Sequence, residues 1–149
     1  MSTQNSRRNF IRKTAIVGAG ISIYPSFTFG SNEYNKKEKL KLGFIGVGLR
    51  GTNHLSNVLL RDDVLVTALC DIDSKRIDLA LQLIKEGNKP KPEVFGKNEL
   101  DYRNLLNLDN VDAVIISTPW LWHTRMSKDA MMAGKYTGVE VSAANTMEE

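Results

Sequence analysis

Six consecutive residues, Gly46-Val47-Gly48-Leu49-Arg50-Gly51, restrict what this chain can fold into more than any other segment. They spell G-x-G-x-x-G between the short apolar run Lys41-Leu42-Gly43-Phe44-Ile45, which predicts a buried strand, and Thr52 to Arg61, where Leu55, Val58 and Leu59 share one helical stripe. A glycine triplet alone says little, but between a strand and a helix each glycine has a task. Gly46 permits the tight turn, Gly48 lets the backbone approach a pyrophosphate, and Gly51 lets helix and strand pack closely. The helix N-terminus then offers unpaired N–H groups and a positive dipole end to phosphates. Asp71 follows Gly51 by twenty residues, at the end of the next apolar run. A carboxylate there accepts hydrogen bonds from the adenosine ribose and repels a 2′-phosphate, which favours NAD over NADP. Arg50 pulls the other way, since a guanidinium can reach a phosphate. The bland alternative is a glycine turn followed by a helix-capping aspartate.

The rest of the body repeats the alternation. Val64 to Cys70 predicts a strand, and Ser74 to Glu86 a helix capped by Asp73 or Ser74 and stopped at Gly87. Pro90, Pro92 and Gly96 punctuate a loop, and Tyr102 to Leu108 reads as a short helix. Val111 to Ser117 is the clearest strand; Pro119 ends it, a helix runs from about His123 to Met132, and Lys135 to Val141 is a further strand. Strands separated by helices at this spacing imply βαβ units. The expected fold is therefore α/β, a Rossmann-type doubly wound parallel sheet over residues 40–149, with both faces covered. Thr146-Met147-Glu148-Glu149 has the T-x-x-E form of a capping box, so the chain stops where a helix would begin. The domain accordingly reads as incomplete, with a catalytic domain missing downstream and a sheet of marginal stability.

Charge separates the first thirty residues from the body. The chain carries 20 Lys plus Arg against 17 Asp plus Glu, a net +3. Arg7, Arg8, Arg12 and Lys13 fall in residues 1–30, which contain no acid, so the remainder is slightly acidic and bulk charge gives no case for nucleic-acid binding. Ser6-Arg7-Arg8-Asn9-Phe10-Ile11-Arg12 resembles the twin-arginine consensus, and the apolar run Thr14 to Tyr24 behind it is too short to span a bilayer. That order favours an export signal over a basic helix lying on a membrane surface. Residues 31–39 read as a linker. The expected partner is the twin-arginine translocase, which carries folded, cofactor-loaded proteins, and the expected location is the bacterial periplasm. Uncleaved retention as an N-terminal anchor stays open. The single cysteine, Cys70, excludes a disulfide scaffold, and two histidines without an acid cluster make a metal site an unsuitable reading.

Two further segments stand at strand ends, where ligands bind in open α/β sheets. Trp120-Leu121-Trp122-His123 offers two indoles and an imidazole, either a wall beside a flat ring or sugar or, equally, core packing ahead of a helix. Glu140-Val141 is either a ribose contact or a solvated surface pair. His54 reads as an ordinary helix residue near the glycine turn.

Taken in order, GFIGVGLRGTNHL at 43–55, ALCDID at 68–73, DAVIISTPWLWHTRMSKDAMMAGKY at 112–136 and VEVSAANT at 139–146 resemble the N-terminal half of the Gfo/Idh/MocA oxidoreductase superfamily. They are most similar to glycoside hydrolase family 109, the NAD-dependent α-N-acetylgalactosaminidases, for which W-x-W-H is the specific mark. The resemblance implies NAD contacts from Leu49 and Arg50 at the pyrophosphate turn and Asp71 on the adenosine ribose. It places Trp120, Leu121, Trp122 and His123 beside the nicotinamide half, with Glu140 and Val141 along the same edge. Most superfamily dehydrogenases carry E-K-P where this chain has Glu140-Val141-Ser142, so the lysine they place near the reacting sugar carbon is missing.

The resemblance also implies a reaction: oxidation of the sugar at C3, elimination of the C1 aglycone, addition of water and re-reduction, with no net redox change. The implied substrate is a glycan ending in α-linked N-acetylgalactosamine. Catalytic residues are expected in the downstream domain, so none is assigned in these 149 positions. The alternatives are an NAD-dependent sugar dehydrogenase of the same superfamily and an inactive nucleotide-binding fragment. Homo-oligomerisation is left open.

Overall fold

A computed structural model describes residues 38–144 and 146. The export segment, residues 31–37 of the linker and most of the Thr146–Glu149 capping box lie outside the described residues.

Five strands and four α-helices follow one another: β1 (Leu40–Ile45), α1 (Leu49–Leu59), β2 (Val64–Cys70), α2 (Ser74–Glu86), β3 (Glu93–Phe95), α3 (Tyr102–Leu106), β4 (Ala113–Ile116), α4 (His123–Met132) and β5 (Tyr136–Val139). A single 3₁₀ turn, Trp120–Trp122, leads into α4. The strands form one sheet in the order β3-β2-β1-β4-β5, and every pairing is parallel. This is the Rossmann-type doubly wound arrangement. The order reverses between β1 and β4, and such a switch point opens a crevice at the carboxyl ends of the strands.

Each sheet face has its own core. Leu42, Phe44, Val64, Val66 and Leu69 pack against Leu55 of α1 and Ile77, Ala80 and Ile84 of α2. On the other face Ile45, Ala68, Cys70, Val114 and Ile116 meet Tyr102, Leu105 and Leu106 of α3 and Met126 and Ala130 of α4. Fully burying a side chain such as Phe44 contributes about 1.5–3 kcal/mol. Gly43 is the close approach on this second face: a Cβ there would sit 2.9 Å from Leu105 Cδ2, so the missing side chain is what lets α3 settle onto β1.

The strand ends contain two features that the apolar pattern does not announce. Leu42 pairs with Val66 but Gly43 with Ala68, so Thr67 is an extra residue in β2. This bulge re-phases the strand: Val64 and Val66 face α1 and α2, and after the insertion Leu69 takes that face while Ala68 and Cys70 take the other. The segment expected to be a loop around Pro92 also contains β3, three residues paired to Ala68–Cys70. So short a run between prolines and Gly96 carries no period-2 signal, and only pairing at the sheet edge makes it a strand.

Helix ends follow local chemistry. Asp73 caps α2, its carboxylate accepting from Lys75 N–H at 2.9 Å. Gly87 closes that helix, but the left-handed residue is Asn88 (φ 51°), with Asn88 N–H on Lys85 O and Lys89 N–H on Ile84 O. That is a Schellman termination with asparagine at its turning point. α1 starts at Leu49, three residues earlier than the periodicity predicts, so the glycine motif itself forms its first turn.

Candidate functional site: a dinucleotide cleft at the strand switch point

The switch point places Gly46 against Ser117. Gly46 has φ +86°, and a Cβ on it would lie 2.7 Å from Ser117 O. Any side chain would therefore collide with β4's exit even if the backbone angle were tolerated. A Cβ on Gly51 would run into Gly46 O, so Gly51 sets the closeness of α1 to the turn. Gly48 differs from both, with nothing within 4 Å of the Cβ position. Its bareness is not needed for folding; it leaves room above the helix N-terminus. α1 has no side-chain cap and its first internal bond is Thr52 N–H to Gly48 O at 2.8 Å, so the first-turn amides remain available to a ligand.

Asp71 stands at the end of β2 and ties the cleft together. Its Oδ2 accepts from Val47 N–H at 2.8 Å and its Oδ1 from Asp73 N–H at 2.9 Å. Each oxygen keeps a lone pair for a ribose hydroxyl, so bracing the turn and receiving a ligand are compatible. Cys70, one residue earlier, is buried, and burial, helped by Asp101 and Asp71, pushes its thiol up to about 12. The thiol stays protonated and acts as a core side chain.

Between these parts lies a cavity of about 200 Å³, lined on one side by Gly46, Gly48 and Asp71 and on the other by Ser117, Pro119 and Trp122. Ser117 Oγ is buried there without a hydrogen-bond partner, a vacancy suited to a polar ligand or a water. The far end is closed by the loop after β3. The buried Asp101 holds that loop, accepting from Gly96 N–H (2.6 Å), Lys97 N–H (2.8 Å) and Asn104 Nδ2 (2.7 Å). Those donors keep its carboxyl below the usual carboxylate range. Open space at Gly48, an uncapped helix start, a carboxylate at the second strand end and an orphaned hydroxyl together fit a dinucleotide.

The Trp-His segment divides in the structure. Trp122 lines the cavity, with the Arg125 guanidinium 5.5 Å from its ring centroid. Trp120 and Leu121 point outward, 66% and 81% exposed. His123 is fully buried, and both ring nitrogens meet carbonyl oxygens: Nδ1 to Ser142 O at 2.8 Å and Nε2 to Thr118 O at 2.7 Å. Its ring joins the exit of β4 to the segment after β5. There Glu140 N–H donates to Ile116 O at 3.0 Å, extending the β4–β5 ladder, while Val141 is exposed. The Val141–Ser142 peptide bond is cis.

His54, which sequence reasoning passed over, belongs to this edge. Its Nε2 lies 2.5 Å from Glu140 Oε1. His54 is the main cause holding the Glu140 carboxyl below its ordinary range, with Arg50 adding to it. The available signal was spacing: Arg50 and His54 stand four apart on one helix and share a face. Among the described residues, no group of three His, Cys, Asp or Glu side chains is placed to hold a metal ion.

Residues 40–147 match the family described as oxidoreductase family, NAD-binding Rossmann fold (Gfo/Idh/MocA). A relative in Parabacteroides distasonis named glycosyl hydrolase family 109 protein is 42% identical, over 98% of this chain and 34% of that protein. One in Shewanella oneidensis named alpha-N-acetylgalactosaminidase is 38% identical, over 96% of this chain and 35% of that protein. This chain thus spans about a third of the length of the curated relatives it matches. Among solved structures, the scyllo-inositol dehydrogenase of Lactobacillus casei with bound NAD(H) and scyllo-inositol superposes with a TM-score of 0.63 at 25% identity, over 74% of this chain and 30% of that one.

Proposed function

The chain belongs to the Gfo/Idh/MocA oxidoreductase family and carries its NAD-binding Rossmann domain, and from that premise we propose that it is the cofactor-holding part of an exported glycosidase that removes terminal α-linked N-acetylgalactosamine. The observation that carries this reading is the exit of β5. The residues there are Glu140-Val141-Ser142, with no lysine to act as acid or base at the sugar carbon. A cleft built to hold a dinucleotide but lacking that lysine suits a redox-neutral cycle better than net dehydrogenation. The names of the two curated relatives above agree.

In this reading the chemistry that NAD⁺ would supply when bound is reversible acceptance of a hydride from the sugar. The chain's own residues do the holding. Gly48 and the first-turn amides of α1 receive the pyrophosphate, and Arg50 adds positive charge beside it. Asp71 accepts from the adenosine ribose. Trp122, which lines the cavity, would help exclude water from a bound dinucleotide, and Glu140 would stand toward its nicotinamide end. The sugar's acids and bases are assigned to the portion of the relatives' length beyond this chain.

Export by the twin-arginine route, signalled by Arg7 and Arg8, fits a cofactor that is recycled in place, because the periplasm supplies no NAD. One feature favours a second reading, an ordinary sugar dehydrogenase: the likeness in fold to the inositol dehydrogenase. The two part in a single assay. The protein at its relatives' full length is incubated with an aryl α-N-acetylgalactosaminide and no added NAD. Aglycone release without accumulating NADH is the expected result; NADH formation with sugar oxidation and no aglycone release would leave the dehydrogenase.

A further inference from the structure

We propose that His54 is a positioning residue for the nicotinamide end of the cleft, clamping Glu140 to the phosphate-binding helix so that the hold on the dinucleotide depends on the charge of one imidazole. The inference rests on the dinucleotide reading of the cleft and adds to it a residue and a pH response.

The geometry is specific. His54 lies in the second turn of α1 and Glu140 directly follows β5, 86 positions later, yet Nε2 and Oε1 are 2.5 Å apart. The side chains are 40% and 25% exposed, so the contact lies at the surface rather than in the core. Glu140 is fixed from behind by its own N–H on Ile116 O. The pair is therefore a tie between the helix that receives the phosphates and the strand end that closes the other side of the switch point.

Charge gives the tie its purpose. A carboxylate at the end of β5 can accept from a ribose hydroxyl there only while its side chain is held in one place, and a paired imidazole does that holding. Among the described residues, the charged groups placed near Glu140 are His54 and Arg50, both on α1; the described part of the segment after β5 adds none, and the β4 exit contributes His123, whose ring is occupied by the Ser142 and Thr118 carbonyls. A guanidinium keeps its charge at all ordinary pH, whereas an imidazole can gain or lose its charge with pH. With His54 protonated, Glu140 is neutralised and held. With His54 neutral, the tie falls back to an ordinary hydrogen bond and the carboxylate is held less firmly.

The test is isothermal titration of the full chain with NAD⁺ and, separately, with ADP, which has the pyrophosphate but not the nicotinamide ribose, across about pH 5.5 to 8.5. Wild type is compared with His54→Gln and Glu140→Gln for each ligand, so the ligands' own ionisation cancels. For a pair this exposed, His54→Gln is expected to weaken NAD⁺ about three- to fivefold at the acid end, to flatten its pH dependence, and to leave ADP unchanged. Glu140→Gln flattens the same profile, and the double variant is no weaker than Glu140→Gln alone. Gln at either position keeps a hydrogen-bonding amide where the ionisable group stood, a melting curve checks that each variant is folded, and either flattened profile alone carries the result. A wild-type pH slope surviving in both variants overturns the inference, as does equal weakening of NAD⁺ and ADP, which would assign the contact to the phosphate helix only. A wild type that binds neither ligand brings down the dinucleotide reading itself, and this inference with it.

Discussion

Gly48 and Gly51 are three positions apart in one turn of chain and answer to opposite constraints. Space is open at Gly48 and closed at Gly51 by Gly46 O. Gly48→Val should therefore fold with a near-normal melting temperature yet bind NAD⁺ about tenfold or more weakly by titration calorimetry. Gly51→Ala should do the reverse, costing about 1–3 kcal/mol in a urea melt because the helix must back away from the turn. The glycine spacing and Asp71 were readable from the sequence because each task demands one residue type. His54 was not, since nothing local distinguishes a helix histidine facing solvent from one facing a carboxylate 86 positions away. His123 was half legible: its position at a strand exit was plain, but its burial between two carbonyls depends on where the segment after β5 runs.

The loop between β3 and α3 shows how one side chain organises an element. The Asp101 carboxylate satisfies two backbone amides and Asn104, and those donors depress its titration. The sign follows from linkage: a carboxyl whose folded value lies below its unfolded one stabilises above the unfolded value, near pH 4, and loses that contribution as pH falls through the folded value. Asp101→Ala should remove this acid-limb dependence and cost about 1–3 kcal/mol at neutral pH, since two part-buried N–H groups lose their acceptor. Urea melts at about pH 3 and 7 on wild type and variant check both. Nearby, Tyr102 Oη donates to Asp129 Oδ2 at 2.6 Å and Arg103 joins the same carboxylate, tying α3 to α4. Helices and long strands were legible as periodic runs. The bulge at Thr67 and the three-residue β3 were not, because register and edge pairing arise between segments and leave no mark within one.

For the molecule as a whole, the proposal joins a cleft that needs a cofactor to a leader that exports folded chains. Replacing Arg7 and Arg8 with lysine should leave folded, NAD-binding protein in the cytoplasm of an expressing bacterium, measured by fractionation, whereas the unaltered chain reaches the periplasm. Periplasmic accumulation of the paired variant would assign export to another route. The sheet order was within reach of the sequence, because repeated strand–helix units admit few parallel arrangements. The wall formed by the exits of β4 and β5 has a consequence of its own. His123 secures it entirely through main-chain oxygens, while the side chains of Trp120, Leu121 and Val141 extend outward into solvent. Side-chain identity at those three sites is thereby uncoupled from foldedness, so this outward-facing surface is free to diversify across descendants without the frame beneath it having to be rebuilt.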